Sequence, residues 1–508
     1  MYDILIIGAG ITGAFLARGL AQYDLGIALL DKEDDVACGA TMANSAIIHS
    51  GHDPKPGTLK ARFNVRGNEL YEGVCRELGA AFSRCSALVA AASPEEEAVL
   101  YMLQKQAAGR GVPARRLSRE EALALEPRLA DSVTAALELP STGIITPWEV
   151  AIALAEEAVL NGAELFLSHR VEAIEAVPAA GAQNGRASRA ADPDGRFFRV
   201  QSRTPDGREH TFTARYVIDA AGVYADRIYA MVSPAQADPA TRRFSITPRR
   251  GEYFVLDRED APFVSRVIYP VPSEKGKGVL AVPTIHHNLL IGPNSDFTDD
   301  KDDTGNTGQA LSYVREQIAR TVKDVPFHKT IRNFSGLRPA GDTHDFIVEE
   351  AGDVPGFILV AAIESPGLTA APAIAEYVIE TLLAPKLSLT PRAAYRRRRP
   401  FLSLKGLPPR QYNEKIRENP AFGRIVCRCE QITEGEVLDA IRRPAGARTL
   451  KGVKKRCRPG MGRCQGGFCE PLITQILCRE LGLTPEALLH IEEAPAGEAG
   501  EKKEGGCE

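Results

Sequence analysis

Apolar and polar positions over the first thirty residues fall into a strand, turn, helix, strand pattern. A mostly apolar stretch at 1–7 and a glycine-rich break at 8–13 are followed by a helical pattern at 14–22 and a second apolar stretch at 26–31. This is a βαβ unit. Further on, helical periodicity covers 59–78 and 148–161, and Ser118 with Glu121 forms a capping box opening another helix. Strand patterns follow at 164–167, 197–202 and 210–218, then at 252–256, 279–282 and 289–291. The later set predicts a largely antiparallel second domain interleaved with the first. The Ala/Gly/Asp-rich stretch 178–195 has nothing to bury and reads as an extended hairpin loop, and the Glu/Lys/Gly/Ala end, 492–508, reads as disordered. The Pro/Arg/Leu-rich stretch 385–423 reads as a linker packed over the first domain. No internal repeat is evident.

Length and charge limit the options. A chain of 508 residues exceeds what one core supports, so two or three domains are expected. A net charge of -4 argues against a nucleic-acid or polyanion binder. Cys38, Cys75 and Cys85 are scattered through the first domain while the remaining cysteines gather beyond residue 420, a reduced, cytoplasmic pattern rather than a disulfide framework. The N-terminus lacks the basic segment of a signal peptide, and no apolar run reaches the ~18 residues of a membrane span. A cytoplasmic protein is expected, any membrane association coming through partners.

Gly8-x-Gly10-x-x-Gly13 between a strand and a helix suits a dinucleotide: the glycines permit a tight turn and close approach while helix amides face a pyrophosphate. Asp31 ends the second strand about 20 residues on, where a carboxylate meets ribose hydroxyls. This leaves FAD and NAD open. Downstream blocks decide between them: Asn44-Ser45-Ala46-Ile47-Ile48-His49-Ser50-Gly51, Val217-Ile218-Asp219-Ala220-Ala221-Gly222, and Glu364-Ser365-Pro366-Gly367-Leu368-Thr369. With them, residues 1–385 resemble the D-amino-acid-oxidase-like FAD superfamily. The run from Asn44 through Pro56-Gly57-Thr58 to Arg66-Gly67-Asn68 most resembles its glycerol-3-phosphate dehydrogenases, and L-2-hydroxyglutarate dehydrogenases share much of it. The resemblance implies FAD contacts at Gly8, Gly10, Gly13, Asp31, Thr41, Ser45, Gly222, Gly367 and Leu368.

Oxidising an alcohol requires hydride transfer to the flavin and a base for the hydroxyl proton. His49 is the candidate base, by its place after Asn44-Ser45 and by the resemblance; His52 is a weaker one. A small anionic substrate needs a fixed cation, and Arg338 in Ser335-Gly336-Leu337-Arg338-Pro339 resembles the family's active-site arginine. Lys277 and Arg250 are secondary candidates. His286 and His287 are expected to pack, and Cys38 to be a buried thiol.

Cys427-x-Cys429 and Cys464-x4-Cys469 supply four soft ligands for an iron-sulfur cluster. Structural zinc is the rival, but its usual spacing is two Cys-x2-4-Cys pairs. Between the pairs lie a helix-compatible stretch, 432–445, and a basic, glycine-rich run, 451–467, whose glycines would let backbone amides approach the sulfides. Residues 424–478 resemble the bacterioferritin-associated-ferredoxin-like 2Fe-2S domain, which implies Cys427, Cys429, Cys464 and Cys469 as ligands. Cys457 and Cys478 are expected to pack, and Cys507 to be a tail thiol. The basic residues between 451 and 463 lack the interleaved aromatics of a nucleic-acid site. They suit charge compensation of the cluster or docking of an acidic electron carrier.

The expected architecture is α/β, a Rossmann-like FAD domain (about 1–85, 145–240 and 330–385) interleaved with a mostly antiparallel β substrate domain (about 86–144 and 241–329). A linker (386–423), a small helical 2Fe-2S domain (424–480) and a tail follow. The expected function is FAD-dependent oxidation of sn-glycerol 3-phosphate, with electrons relayed through the cluster to a partner. L-2-Hydroxyglutarate or another 2-hydroxy or amino acid is the alternative substrate. A noncatalytic redox-sensing or scaffold subunit is the alternative of a different class.

Overall fold

The computed structural model describes residues 1–178, 196–233, 243–258, 262–273 and 276–493. Most of the expected hairpin loop at 178–195, most of the tail at 492–508 and Cys507 lie outside the described residues.

Two large sheets, with a small three-stranded one of Ile47–Ile48, Gly143–Ile145 and Phe82–Ser83, organise the chain up to Ala361. In the first, an eight-stranded sheet, the strand Tyr2–Ile7 runs parallel between Ile27–Leu30 and Glu209–Asp219. Phe357–Ala361 adds in parallel beyond Glu209–Asp219, and Arg170–Pro178 with Arg196–Arg203 forms an antiparallel extension. The central strands are apolar on both faces because helices Ile11–Leu20, Pro147–Leu160 and Gly367–Tyr377 cover one side and a second core the other.

The second, nine-stranded sheet is antiparallel except where Val267–Pro270 pairs in parallel with Ala87–Ala91. Its longest pairing joins Ile246–Leu256 to Thr330–Gly341. The strand that carries Arg338 therefore belongs to the substrate sheet, a correction to the expected return to the FAD part at 330. Cross-strand pairing with Ile246–Leu256, remote in sequence, decides it.

The expected helices at 59–78 and 148–161 form as Leu59–Leu78 and Pro147–Leu160, and the Ser118/Glu121 capping box closes as expected. The first helix departs from expectation. It begins at Ile11, not at residue 14, so Gly13 lies in its first turn, where a Cβ would stand 1.9 Å from the Gly8 carbonyl oxygen. The third glycine thus serves helix packing, while the turn itself ends at Gly10.

The C-terminal unit has its own core, built on helices Glu434–Arg442, Leu450–Cys457 and Glu470–Leu481. The expected linker is not bare: it holds a helix, Pro409–Glu418, and Arg398 within it is buried against Glu156 at 2.8 Å. The first half of the basic, glycine-rich run is the helix Leu450–Cys457. Lys455 and Arg456 on that helix turn inward. Arg456 grips Asp35 with two hydrogen bonds of 2.7 and 2.8 Å, and Lys455 adds a contact of 2.9 Å, all three side chains being buried. These cations are spent on seating the unit against the FAD sheet rather than on a carrier. Arg443 does the same at Glu156, 2.8 Å away.

Candidate active site and cluster site

One cavity of about 2040 Å³ collects residues from both large sheets and from the C-terminal unit. The fingerprint forms one wall. Gly8 has φ +106°, and a Cβ there would lie 2.4 Å from the carbonyl oxygen of Ala220, so only glycine admits the approach. Gly10 is extended and caps the helix without a side chain; the Ile11 amide is satisfied by the Thr41 hydroxyl at 2.9 Å. The Asp31 carboxylate accepts from the Ala9 amide at 2.6 Å and the Glu33 amide at 2.9 Å. Burial pushes its pKa up to about 6 despite those amides.

Parallel pairing of Ile7 with Asp219 brings Gly222 beside this turn, and the helix Gly367–Tyr377 presents Gly367 and Leu368 at its start. Gly8, Gly10, Asp31, Thr41, Ser45, Gly222, Gly367 and Leu368 all line the cavity, and Gly13 supports them from behind. The cradle that a Cβ at Gly8 would fill, the exposed helix start and the cavity's length fit an FAD laid along the first βαβ unit.

His49, Lys277 and Arg338 line the same cavity. The His49 backbone is pinned from two helices: its amide donates to Thr369 Oγ1 at 2.9 Å and its carbonyl accepts from Asn68 Nδ2 at 2.9 Å. Helix Leu59–Leu78 comes this close because residue 67 is glycine, where a Cβ would meet the Thr369 carbonyl at 1.9 Å. The His49 Nδ1 lies 3.0 Å from the Tyr269 hydroxyl and 3.4 Å from Lys277 Nζ. Burial, then the Lys277 charge, holds the imidazole pKa well below 6.5. The ammonium of Lys277 is balanced by Asp53 at 3.2 Å. Burial raises the Asp53 pKa, but Lys277, His52 and His49 together outweigh it and keep the group a carboxylate. Tyr269 stays a neutral hydroxyl, its pKa raised well above 10 by burial and then by Asp53.

Arg338 donates from Nη2 to the Asn294 carbonyl at 2.7 Å and crosses over Gly251, where a Cβ would lie 2.2 Å from Nη2. Of the weaker candidates, Arg250 lines the cavity but is tied to Glu252 at 3.4 Å and to Asp303. His52 is buried away from it, bonded to Ser50 at 2.9 Å. His286 lines the cavity and His287 is exposed, a departure from the packing expected of both. Cys38 is a protonated thiol, pushed up to about 12 by burial, 3.4 Å from Lys455 Nζ. Sequence reasoning missed Tyr269 and Asp53. Asp53, four residues from His49, was within reach of a local argument; Tyr269 comes from a distant strand and carries no local signal.

In the C-terminal unit the four expected cysteines form two pairs. Cys429 Sγ lies 3.5 Å from Cys464 Sγ, near the ~3.8 Å edge of a tetrahedron with ~2.3 Å metal–sulfur bonds. Cys469 hydrogen-bonds Cys427. Among the described residues no three of these sulfurs lie within 4.8 Å of one another, so they do not converge on one metal as a zinc site requires. Two thiolate pairs fit two irons. Gly462 lets the loop close, since a Cβ there would be 2.4 Å from that of Cys429. Cys457 bonds the Val453 carbonyl at 3.5 Å and packs. The stretch from the helix Leu450–Cys457 into the second cysteine pair reaches the large cavity, whose wall includes Lys454, Met461 and Gln465.

The family model for FAD dependent oxidoreductase matches residues 3–381. The chain belongs to this family. Within the oxidoreductase chain, residues 425–479 match the BFD-like [2Fe-2S] binding domain, so FAD and a 2Fe-2S cluster are its cofactors. It is 44% identical over 488 residues, 95% of each chain, to a glycerol 3-phosphate dehydrogenase of Caloramator mitchellensis. Human mitochondrial L-2-hydroxyglutarate dehydrogenase is 32% identical over 298 residues, 58% of this chain and 61% of that one. Among solved structures, FAD-bound L-alpha-glycerophosphate oxidase from Mycoplasma pneumoniae superposes with a TM-score of 0.70 at 28% identity, covering 79% of this chain and 99% of its own. No helix among the described residues is long and apolar enough to cross a membrane.

Proposed function

We propose that this oxidoreductase converts sn-glycerol 3-phosphate to dihydroxyacetone phosphate and delivers the electrons to a protein carrier. The observation that carries the reading is the convergence of His49, Lys277 and Arg338, from three separate stretches, in the cavity that holds the dinucleotide fingerprint. When bound, the flavin accepts a hydride and the cluster passes electrons one at a time. The chain supplies the rest. His49, neutral at physiological pH, takes the hydroxyl proton at Nε2 in the tautomer whose Nδ1–H donates to the Tyr269 oxygen. Arg338 offers a planar fork to the substrate's phosphate or developing carbonyl oxygen, and Lys277 adds a second cation whose own charge Asp53 balances. The relative that is 44% identical over 95% of both chains supports glycerol 3-phosphate over hydroxyglutarate, whose named relative covers 58%.

Anaerobic titration tests this. Glycerol 3-phosphate should bleach the flavin band near ~450 nm and L-2-hydroxyglutarate should not. The reverse pattern would keep the family and reject the substrate.

A further inference from the structure

The four cysteines differ in exposure. Cys427 and Cys469 are buried, whereas Cys429 and Cys464 are partly open to solvent. The residues next to them are among the most exposed of their kind. Phe468, adjacent to Cys469, is 83% exposed, more than any other large apolar side chain among the described residues; Ile425, two residues before Cys427, is 51% exposed. Arg428, between Cys427 and Cys429, is exposed, and so is the Arg463 side chain, 85% open and next to Cys464. One or two residues span at most ~7 Å of chain, so all four side chains start close to a ligand.

The charges in this neighbourhood are unequal. Glu430 is buried and already held by Arg258 at 3.1 Å and Arg458 at 3.3 Å. Arg428 makes no ion pair among the described residues, and Arg463 meets Asp257 at 3.7 Å, beyond hydrogen-bonding range. Glu470 is the exposed acid beside a ligand. Within the basic run Lys455 and Arg456 are taken up by Asp35 and Arg458 by Glu430, whereas Arg428 and Arg463, each next to a cluster ligand, face solvent. Apolar anchors bounded by arginine are the residue types that carry protein contacts.

The geometry points to the face formed by Ile425, Arg428, Arg463 and Phe468 as the docking surface for an acidic one-electron carrier protein. The inference rests on the relay reading above and names the partner's chemistry and the place it lands. Phe468 anchors the complex by burial, the two arginines steer and orient an acidic surface, and the partly open Cys429/Cys464 pair is the side of the cluster the carrier meets.

The test uses the full-length, cofactor-loaded protein and measures binding by isothermal titration calorimetry. The probes are a plant-type ferredoxin as the acidic carrier and cytochrome c as the basic control. Ferredoxin should bind more tightly than cytochrome c and weaken as salt rises. Arg428→Glu with Arg463→Glu should lower its affinity at least ~10-fold and raise that of cytochrome c. Phe468→Ala should weaken ferredoxin by about 10-fold with its salt dependence retained. Each variant's cluster absorbance and flavin bleaching by glycerol 3-phosphate must match the parent, which separates lost docking from lost folding. Equal affinities before and after charge reversal, or a preference for cytochrome c, overturns the docking surface. A cluster that stays oxidised while glycerol 3-phosphate bleaches the flavin overturns the relay instead, whatever the binding curves show.

Discussion

Replacing Asp35 by asparagine removes one charge and keeps the side chain's size, and it falls at the point where the C-terminal unit is seated. The Asp35 carboxylate serves Arg456 through two bonds of 2.7 and 2.8 Å and Lys455 through one of 2.9 Å, and both cationic side chains are no more than 1% exposed. Without the carboxylate, two buried cations lose their counter-charge. Breaking a buried pair from one side costs about 3–5 kcal/mol, and each ~1.4 kcal/mol is tenfold, so docking should weaken by about 10² to 4 × 10³-fold. The Lys455 bond to the Val36 carbonyl at 2.6 Å remains and sets a floor under the loss. Hydrogen exchange over Leu450–Cys457 and over residues 31–45 should rise together in Asp35→Asn. Flavin bleaching by glycerol 3-phosphate should keep its rate while cluster reduction in the same stopped-flow trace slows at least tenfold. The pH dependence has a definite sign. Burial raises the Asp35 pKa, but Arg456 and then Lys455 hold it well below 3.8, so the clamp's stabilisation is present above about pH 4 and is lost as pH falls toward the folded value. Unchanged exchange at Leu450–Cys457 together with unchanged cluster reduction in Asp35→Asn would refute the clamp.

Further outcomes follow from the active site and the cluster. Because His49 is already neutral well below pH 6.5, kcat/KM for flavin reduction should stay level from pH 8 down through 6.5; Lys277→Met should move the acidic limb upward, since the Lys277 charge is one cause of the depression. A limb at 6.5 in the parent protein contradicts the assignment. Gly251→Ala should drive a Cβ into Arg338, raising KM for glycerol 3-phosphate at least ~10-fold while bound FAD per chain, read from absorbance, is unaltered. Cys429→Ser should abolish the cluster's visible absorbance and Cys457→Ser should retain it, because Cys457 is bonded to Val453 and not paired with another thiol.

Local chemistry made much of this protein legible in its sequence. Gly8, Gly10 and Asp31 speak through spacing, because a dinucleotide site is built from one contiguous βαβ unit whose turn only glycine can make. The cysteine spacing speaks for a cluster in the same way. His49 stood out because it follows the flavin-facing loop directly. The helix Leu59–Leu78 was readable from its periodicity, and in the fold Thr58 caps its start and a left-handed Gly79 ends it.

The tertiary structure decided what depends on groups far apart along the chain. Arg338 belongs to the substrate sheet because its strand pairs with Ile246–Leu256, a long-range choice that no local pattern encodes. Tyr269 reaches His49 across 220 positions. The basic run between the cysteines shows the difference most clearly: as sequence it is a stretch of solvated charge, and in the fold Lys455 and Arg456 are buried on Asp35, 421 positions from Arg456. Charge is written in the sequence, but whether water or a carboxylate answers it is decided only when the two surfaces meet and exclude the solvent.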